Sequence, residues 1–246
     1  MIYIVLGFAF WAAGWVLNVR LANGPSGDVR SVRIAIPLIF GLTILVIWEF
    51  FVLGFEINPV FLPRPSDIMI RMSQELPRLW ADFVQTIIKG ALTGYIIGGL
   101  AAFGVAILAD RSEFLTRGVL PVGSFMAALP IVGIAPIFVK WFGSDWESKA
   151  AVVAVMVFFP ILVNAVAGLR DTTAMQRDLM RTYGAGYWPT LFKLRLPAAM
   201  PFIFNGLKIA TTLALIGAIV AEFFGSPTVG MGFRISTSLG QLALYM

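Results

Sequence analysis

The sequence predicts an all-α, polytopic helical membrane protein, and this prediction depends on composition, hydropathy and the length of the apolar stretches. Of the 246 residues, 59% are hydrophobic and 13% are charged, and the mean hydropathy is +0.89. Soluble domains have about 25% charged residues and about 45–50% apolar ones. Backbone amides in lipid must be satisfied within one segment, so long apolar stretches form helices. No alternating pattern typical of barrel strands occurs.

Six apolar stretches qualify or nearly qualify as membrane spans. Their approximate bounds are Ile2–Leu17, Ile34–Leu53, Thr86–Ala109, Gly118–Phe142, Ala150–Leu169 and Pro201–Phe224. The first stretch could pass for a signal peptide, but it has no basic start and no clear cleavage site follows it, so we interpret it as a retained span. The third stretch has glycines at positions 94, 98, 99 and 104, a spacing that lets neighbouring helices approach closely.

The distribution of basic residues predicts the orientation of the chain. If the segment between the fifth and sixth stretches is cytoplasmic, the cytoplasmic segments contain ten basic residues and the outer segments contain five. This bias fits the positive-inside rule and places the N-terminal residue outside. We therefore expect a multi-pass protein in which the segment between the fifth and sixth stretches is cytoplasmic.

The segment between the second and third stretches predicts a short interfacial helix on the outer surface. Its sequence is "LPRPSDIMIRMSQELPRLWADF". Pro63 and Pro65 impose an extended backbone at its start. Ser66 is the expected N-cap of the helix that follows.

The sequence lacks the residues of common catalytic sites. It contains no Cys and no His, which removes thiolate metal sites and the commonest general base. A P-loop needs a second Gly directly before its Lys, and Gly143–Lys149 has none. We therefore expect this chain not to be an enzyme and to hold no metal or cofactor. Its basic residues lie between apolar stretches and do not indicate nucleic acid.

The segment "DLMRTYGAGYWPTLFKLRLPAAMP" interrupts the apolar pattern between the fifth and sixth stretches. Asp178–Tyr183 is compatible with a helix. Gly184 and Gly186 allow a sharp turn with positive φ. Trp188–Leu196 can form a second short helix, and Pro197 marks the return of the chain to the membrane. A short helix held between two spans is a rigid lever that can dock in a groove of a partner.

This segment resembles the cytoplasmic signature E-A-A-x3-G-x9-I-x-L-P of the transmembrane permease subunits of ABC importers. Aligned on the first glycine of "YGAGY", the glycine, both spacings and the terminal Leu-Pro match. The opening differs, with Asp for Glu and Leu-Met for Ala-Ala. The resemblance implies that the loop couples the chain to an ATPase. Its residues are Asp178, Leu179, Met180, Arg181, Thr182, Tyr183, Gly184, Ala185, Gly186, Tyr187, Leu194, Leu196 and Pro197.

The rest of the chain, from about Ile34 onward, resembles the nitrate-, sulfonate- and taurine-type permeases of that family. "LPRPSDI" is similar to their "LPSPSE" segment, and "ALPIVGIAPIFVKWFG" is similar to their Pro-rich third core helix. The resemblance implies a type I ABC importer transmembrane-domain fold over residues 34–246, preceded by an extra N-terminal helix and cytoplasmic linker at 1–33. The family core has six helices and this chain supplies five of them, so we expect a last helix to be missing.

Charged residues, Pro and Gly within the spans predict where a translocation pathway lies. The candidates are Pro130, Gly133, Pro136, Lys140 and Glu222. The two prolines and the glycine either supply the bend that opens a pathway or only kink the fourth stretch. Lys140 and Glu222 either line the outer end of the pathway or pair locally. Lys208 is expected to reach an interface or to pair locally.

The resemblance implies the membrane-spanning permease subunit of an ATP-driven importer for a small solute, located as a multi-pass protein in a bacterial plasma (inner) membrane. The solute would be a sulfonate-, nitrate- or taurine-like anion, or a vitamin or pyrimidine precursor. The implied partners are a second copy of the chain, two ATP-binding cassette subunits that bind ATP and Mg, a periplasmic or lipid-anchored solute-binding protein, and membrane lipids. The alternatives are an ATP-independent secondary transporter or channel, which typically shows internal repeats that are absent here, and a structural membrane anchor.

Overall fold

Helices form the regular structure of the chain in the computed structural model, which describes residues 2–25, 29–112, 114, 117–118, 121–123, 131–225 and 228–240. They are α1 Ile2–Asn23, α2 Arg30–Gly54, α3 Pro65–Gln74, α4 Leu76–Asp110, α5 Ile131–Phe142, α6 Trp146–Arg170, α7 Ala174–Thr182, α8 Tyr187–Phe224 and α9 Met231–Gly240. Within the described residues, α1, α2, α4, α6 and α8 are long and apolar enough to cross a membrane. The all-α, multi-pass prediction is confirmed.

The chain divides into two compact units, the first of Met1–Pro77 with Thr237–Met246 and the second of Arg78–Ser236. In the first unit, α1 and α2 run antiparallel and small residues bring them together. A Cβ at Gly7 would lie 3.4 Å from the Cβ of Phe50, and one at Gly14 would lie 3.0 Å from Cγ2 of Thr43. The separation of an extra N-terminal helix at residues 1–33 from a permease domain stays a prediction.

The second unit has α6 at its centre, packed between α4 and α8. The fully buried side chains of α6 line both contacts, and they include Val153, Val157, Ile161, Leu162 and Val166. The glycines of α4 allow the close approach that their spacing predicts. A Cβ at position 94 would lie 2.6 Å from the Cβ of Val153, and one at position 98 would lie 2.9 Å from Cα of Ala154.

Replacing Gly98 with Ala is expected to destabilise the second unit by about 1–3 kcal/mol, because the added methyl group meets the backbone of α6 and cannot be accommodated by a side-chain rotation. Gly104, on the same helix, has no atom within 4 Å of an added Cβ. Gly104→Ala should therefore leave the thermal unfolding midpoint in detergent unchanged or slightly raised. Equal midpoints for the two variants would show that α4 and α6 are not in close contact at Gly98.

Two membrane helices begin earlier than predicted, and each contains a π-helical segment. α4 is π-helical at Val84–Leu92, and α8 is π-helical at Leu191–Arg195. Trp188–Leu196 is helical as predicted, but it is not a separate helix, because α8 continues unbroken through Pro197. The predicted return to the membrane at Pro197 stays a prediction. A π-helical turn shifts the hydrogen-bond register. The proline then takes one of the first two positions of the α-helical part, where its missing N–H costs little.

The start of α3 also differs from the prediction. Arg64 is the N-cap, with φ −73° and ψ 146°, and Pro65 occupies the first turn of the helix. The extended backbone expected from the two prolines is confirmed, but the N-cap expected at Ser66 is wrong. Instead, the backbone N–H and the hydroxyl of Ser66 donate hydrogen bonds of 3.0 and 2.7 Å to the carboxylate of Glu49 in α2.

Candidate functional site

The loop between α6 and α8 contains a helix with a well-defined start. The hydroxyl oxygen of Thr173 accepts a hydrogen bond of 3.2 Å from the backbone N–H of Gln176, and the side-chain oxygen of Gln176 accepts one of 3.0 Å from the backbone N–H of Thr173. This capping box satisfies two free N–H groups at the helix start. α7 therefore begins four residues before the predicted Asp178. The Thr-x-x-Gln pattern was visible in the sequence and could have located this start.

The end of α7 is fixed by a glycine turn. Gly184 has a φ of +68°, and its N–H donates a hydrogen bond of 2.8 Å to the carbonyl oxygen of Arg181. The N–H of Ala185 donates one of 3.0 Å to the carbonyl of Met180. This pair of bonds is a Schellman motif, which favours glycine. The predicted positive φ is confirmed for Gly184 and wrong for Gly186, which starts α8 with a φ of −73°.

An apolar stripe faces outward from α7. Met175, Leu179 and Tyr183 are spaced four residues apart and are 82%, 55% and 79% exposed. Residues four apart share one face of a helix, so these side chains form a continuous surface, here called the α7 stripe. Exposed apolar surface of this kind typically contacts another protein or a membrane.

The loop is attached to the helix bundle through a buried carboxylate at the end of α4. The carboxylate of Asp110 accepts hydrogen bonds from both terminal nitrogens of Arg195 in α8, and one of these nitrogens lies 2.7 Å from Oδ2. The hydroxyl of Tyr187 donates to the same Oδ2 at 3.0 Å. Nε of Arg195 donates to the carbonyl of Leu169 in α6 at 3.0 Å. The Asp110 side chain is 2% exposed. We call these four residues the Asp110 clamp, because they join α4, α6 and α8.

Further contacts hold both ends of the loop against the bundle. The guanidinium of Arg111 lies 4.6 Å from the ring centroid of Tyr187 and 4.7 Å from that of Trp188, which is cation–π geometry. At the other end, the loop residue Thr172, between α6 and α7, is buried, and Arg177 in α7 donates to its hydroxyl at 3.2 Å. α7 is therefore a short exposed helix between two anchored ends.

The predicted loop residues separate into two groups. Those from Asp178 to Gly184 lie on α7 and its terminal turn, and most of their side chains are exposed. Leu194 and Leu196 are half-buried within α8, so they belong to the membrane helix and not to the exposed part. The sequence reasoning did not identify Asp110 as a site residue. The sequence feature that could have identified it is its position as an acidic residue directly after a long apolar stretch.

At the opposite end of the bundle, Glu222 lies in a buried polar cluster. Its carboxylate accepts hydrogen bonds of 2.8 Å from the hydroxyl of Thr86 and 2.7 Å from the N–H of Gly232. Beside it, the buried Asp82 accepts from Arg234. This geometry is the local pairing considered for Glu222, and its role in a pathway stays a prediction.

The same end of the bundle contains a lysine at the start of α6. Lys149 is buried in the first turn of α6, where its ammonium donates to the carbonyl of Ser144. Asp145 is the N-cap of α6, and its carboxylate accepts from the N–H of Trp146 at 2.8 Å and from the side chain of Gln85 at 3.3 Å. These two hydrogen bonds lower the pKa of the Asp145 carboxyl.

The remaining pathway candidates lie on α5 or outside the described residues. Gly133 and Pro136 are within α5, and Lys140 is exposed in its last turn. Pro130 falls outside the described residues. The involvement of all four in a pathway stays a prediction.

Comparison with known proteins gives these features a common context. Residues 94–245 match the family described as "Binding-protein-dependent transport system inner membrane component". The formylaminopyrimidine transport permease protein ThiX of Halalkalibacterium halodurans is 32% identical, over 83% of this chain and 81% of that protein. The bicarbonate transport system permease protein CmpB of Synechococcus elongatus is 28% identical, over 82% and 76%. The taurine transport system permease protein TauC of Escherichia coli is 26% identical, over 74% and 68%.

Proposed function

Because this chain belongs to the family of binding-protein-dependent transport system inner membrane components, we propose that it is the membrane-spanning permease subunit of an ATP-driven importer of a small solute. The α7 stripe carries the proposal. It is an apolar surface on a short helix whose two ends are anchored to the bundle, as expected for a surface that receives force from a partner. The partner is an ATP-binding cassette subunit, and the stripe docks in a groove on it.

The Asp110 clamp supports a route by which movement of the loop reaches the membrane helices. Arg195 is part of α8, and its guanidinium is bonded to α4 and to α6. A displacement of α7 therefore acts on three helices together. ATP and Mg bind to the partner, and closure of the ATPase dimer favours one of two arrangements of the bundle.

The relatives suggest the kind of solute and the other partners. Their names specify a formylaminopyrimidine, bicarbonate and taurine, which are all small and polar. We propose that a periplasmic or lipid-anchored binding protein delivers a solute of this size to two copies of the chain in a bacterial plasma membrane. Two ATP-binding cassette subunits complete the assembly.

The Leu179→Glu variant tests the docking surface. The charge lies at the centre of the α7 stripe, and burying it unpaired against an apolar groove is unfavourable. When the chain is co-expressed with its ATP-binding cassette partner and purified through a tag, we expect the recovery of ATPase to fall about tenfold, which corresponds to about 1.4 kcal/mol.

Met69→Glu is the matched control, since Met69 is 69% exposed on α3 and lies outside the loop. It should leave ATPase recovery unchanged. Full recovery with Leu179→Glu would exclude the α7 stripe as the docking surface. If no ATPase copurifies with the unmodified chain, and if the chain alone performs gradient-driven uptake in liposomes, the ATP-independent alternative is correct.

A further inference from the structure

The middle of α8 exposes a polar stripe. Asn205, Lys208 and Thr212 are exposed and lie at spacings of three and four residues, so they share one face of the helix. We call them the α8 polar stripe. Apolar side chains flank it on the exposed surface, among them Phe204 at 60% exposure and Ile216 at 46%. A polar patch limited to the middle of a membrane-length helix is not expected to face lipid.

Lys208 lies far from both ends of the bundle. Arg195 of the Asp110 clamp is 13 residues before it, and Glu222 of the opposite polar cluster is 14 residues after it. At 1.5 Å per residue each end is about 20 Å away, and a lysine side chain spans only part of that distance. No carboxylate among the described residues forms an ion pair with it. The local ion pair considered for Lys208 is therefore not found among the described residues.

The surroundings of Lys208 can solvate a negative group. The amide nitrogen of Asn205 donates a hydrogen bond of 3.0 Å to the side-chain oxygen of Asn164, whose own nitrogen donates to the carbonyl of Pro160 at 2.8 Å. This chain of bonds orients the Asn205 amide and leaves its second N–H for another acceptor. With the ammonium of Lys208 and the hydroxyl of Thr212, the stripe offers three kinds of donor along about two helical turns.

Charged side chains at mid-membrane depth face a protein interior or a water-filled cavity, because exposure to lipid is costly. We propose that the α8 polar stripe lines the aqueous translocation pathway and that Lys208 binds the negative group of an anionic solute there. This proposal rests on the proposed importer function and specifies its substrate class, namely small anions with a carboxylate, sulfonate or similar oxyanion group. A fixed positive charge at this depth also disfavours cations.

The absence of native cysteine allows a direct test with one introduced thiol. Thr212→Cys places a reporter one helical turn from Lys208. The full chain, assembled with its ATPase in liposomes, is treated with a methanethiosulfonate that bears a sulfonate and, separately, with one that bears a quaternary ammonium. Both reagents should react, and the anionic one should react faster. Adding Lys208→Gln should lower the ratio of anionic to cationic rates about tenfold, whereas Lys208→Arg should preserve it.

Leu100→Cys is the control for lipid exposure, because Leu100 is 68% exposed in α4 and no polar side chains lie beside it on the same face of that helix. This thiol should react with neither reagent. Two results would overturn the proposal: an unreactive Thr212→Cys, as in a packed dimer contact, or a rate ratio that does not respond to Lys208→Gln. ATPase copurification with each variant is measured in parallel, so that loss of the importer assembly is recognised separately from loss of anion selectivity.

Discussion

Asp110→Asn is expected to lower the free energy of unfolding by about 3–5 kcal/mol, since it leaves the largely buried guanidinium of Arg195 without a counter-charge. The Arg195 side chain is only 15% exposed, so water replaces the lost carboxylate incompletely. An asparagine keeps one acceptor oxygen, but its NH2 group replaces the second acceptor with a donor and the side chain no longer neutralises the charge. The measurement is the thermal unfolding midpoint of the detergent-solubilised chain, with and without the ATPase subunit.

Asp178→Asn is the matched control for this substitution. Asp178 also pairs with an arginine, Arg181, at 3.2 Å, but the two side chains are 66% and 79% exposed. An exposed pair contributes about 0–1 kcal/mol, so its loss should hardly change the midpoint. If both variants unfold at the same temperature, the Asp110 clamp does not hold the loop to the bundle.

Gly184→Val is expected to reduce solute uptake to background while ATP hydrolysis continues. A β-branched residue at a φ of +68° is strongly disfavoured, and relief of that strain opens the turn that ends α7. The α7 stripe then points in a different direction, and ATPase closure no longer moves the bundle. The measurements are ATP-dependent uptake and phosphate release by the complete complex in liposomes, with the solute supplied on its binding protein.

Gly186→Val isolates the backbone effect from the effect of bulk. Neither Gly184 nor Gly186 has any atom within 4 Å of an added Cβ, yet only Gly184 has a positive φ. The Gly186 variant should therefore retain most of the uptake. Normal uptake by Gly184→Val would show that force does not enter the bundle through the orientation of α7.

Hydropathy was enough to predict the five membrane-length helices of the described residues, because each apolar stretch must satisfy its own backbone in lipid. The fourth predicted stretch, Gly118–Phe142, lies partly outside the described residues, and α5 covers only its end. Hydropathy could not locate the start of α8, since prolines at 197 and 201 suggest a break that the π-helical turn removes. It also missed the contact between Asp110 and Arg195. These residues are 85 positions apart, and their pairing depends on how α4 and α8 pack on α6.

The glycine spacing illustrates the same limit at closer range. The pattern in α4 correctly predicts that helices meet there, and the contacts at Gly94 and Gly98 confirm it. The pattern does not distinguish these two positions from Gly104, which faces open space. Which glycine is in contact depends on where the partner helix packs, and the residues around each glycine do not indicate that position.

The unbroken course of α8 has a mechanical consequence. The helix has 38 residues, or about 57 Å at 1.5 Å per residue, which is nearly twice the thickness of the hydrocarbon core. Because the helix continues without a break, a push on the end that joins the loop would tilt the whole helix about a point inside the bilayer. The two ends of α8 would then move in opposite directions. Narrowing at one membrane face and widening at the other would thus be one motion rather than two.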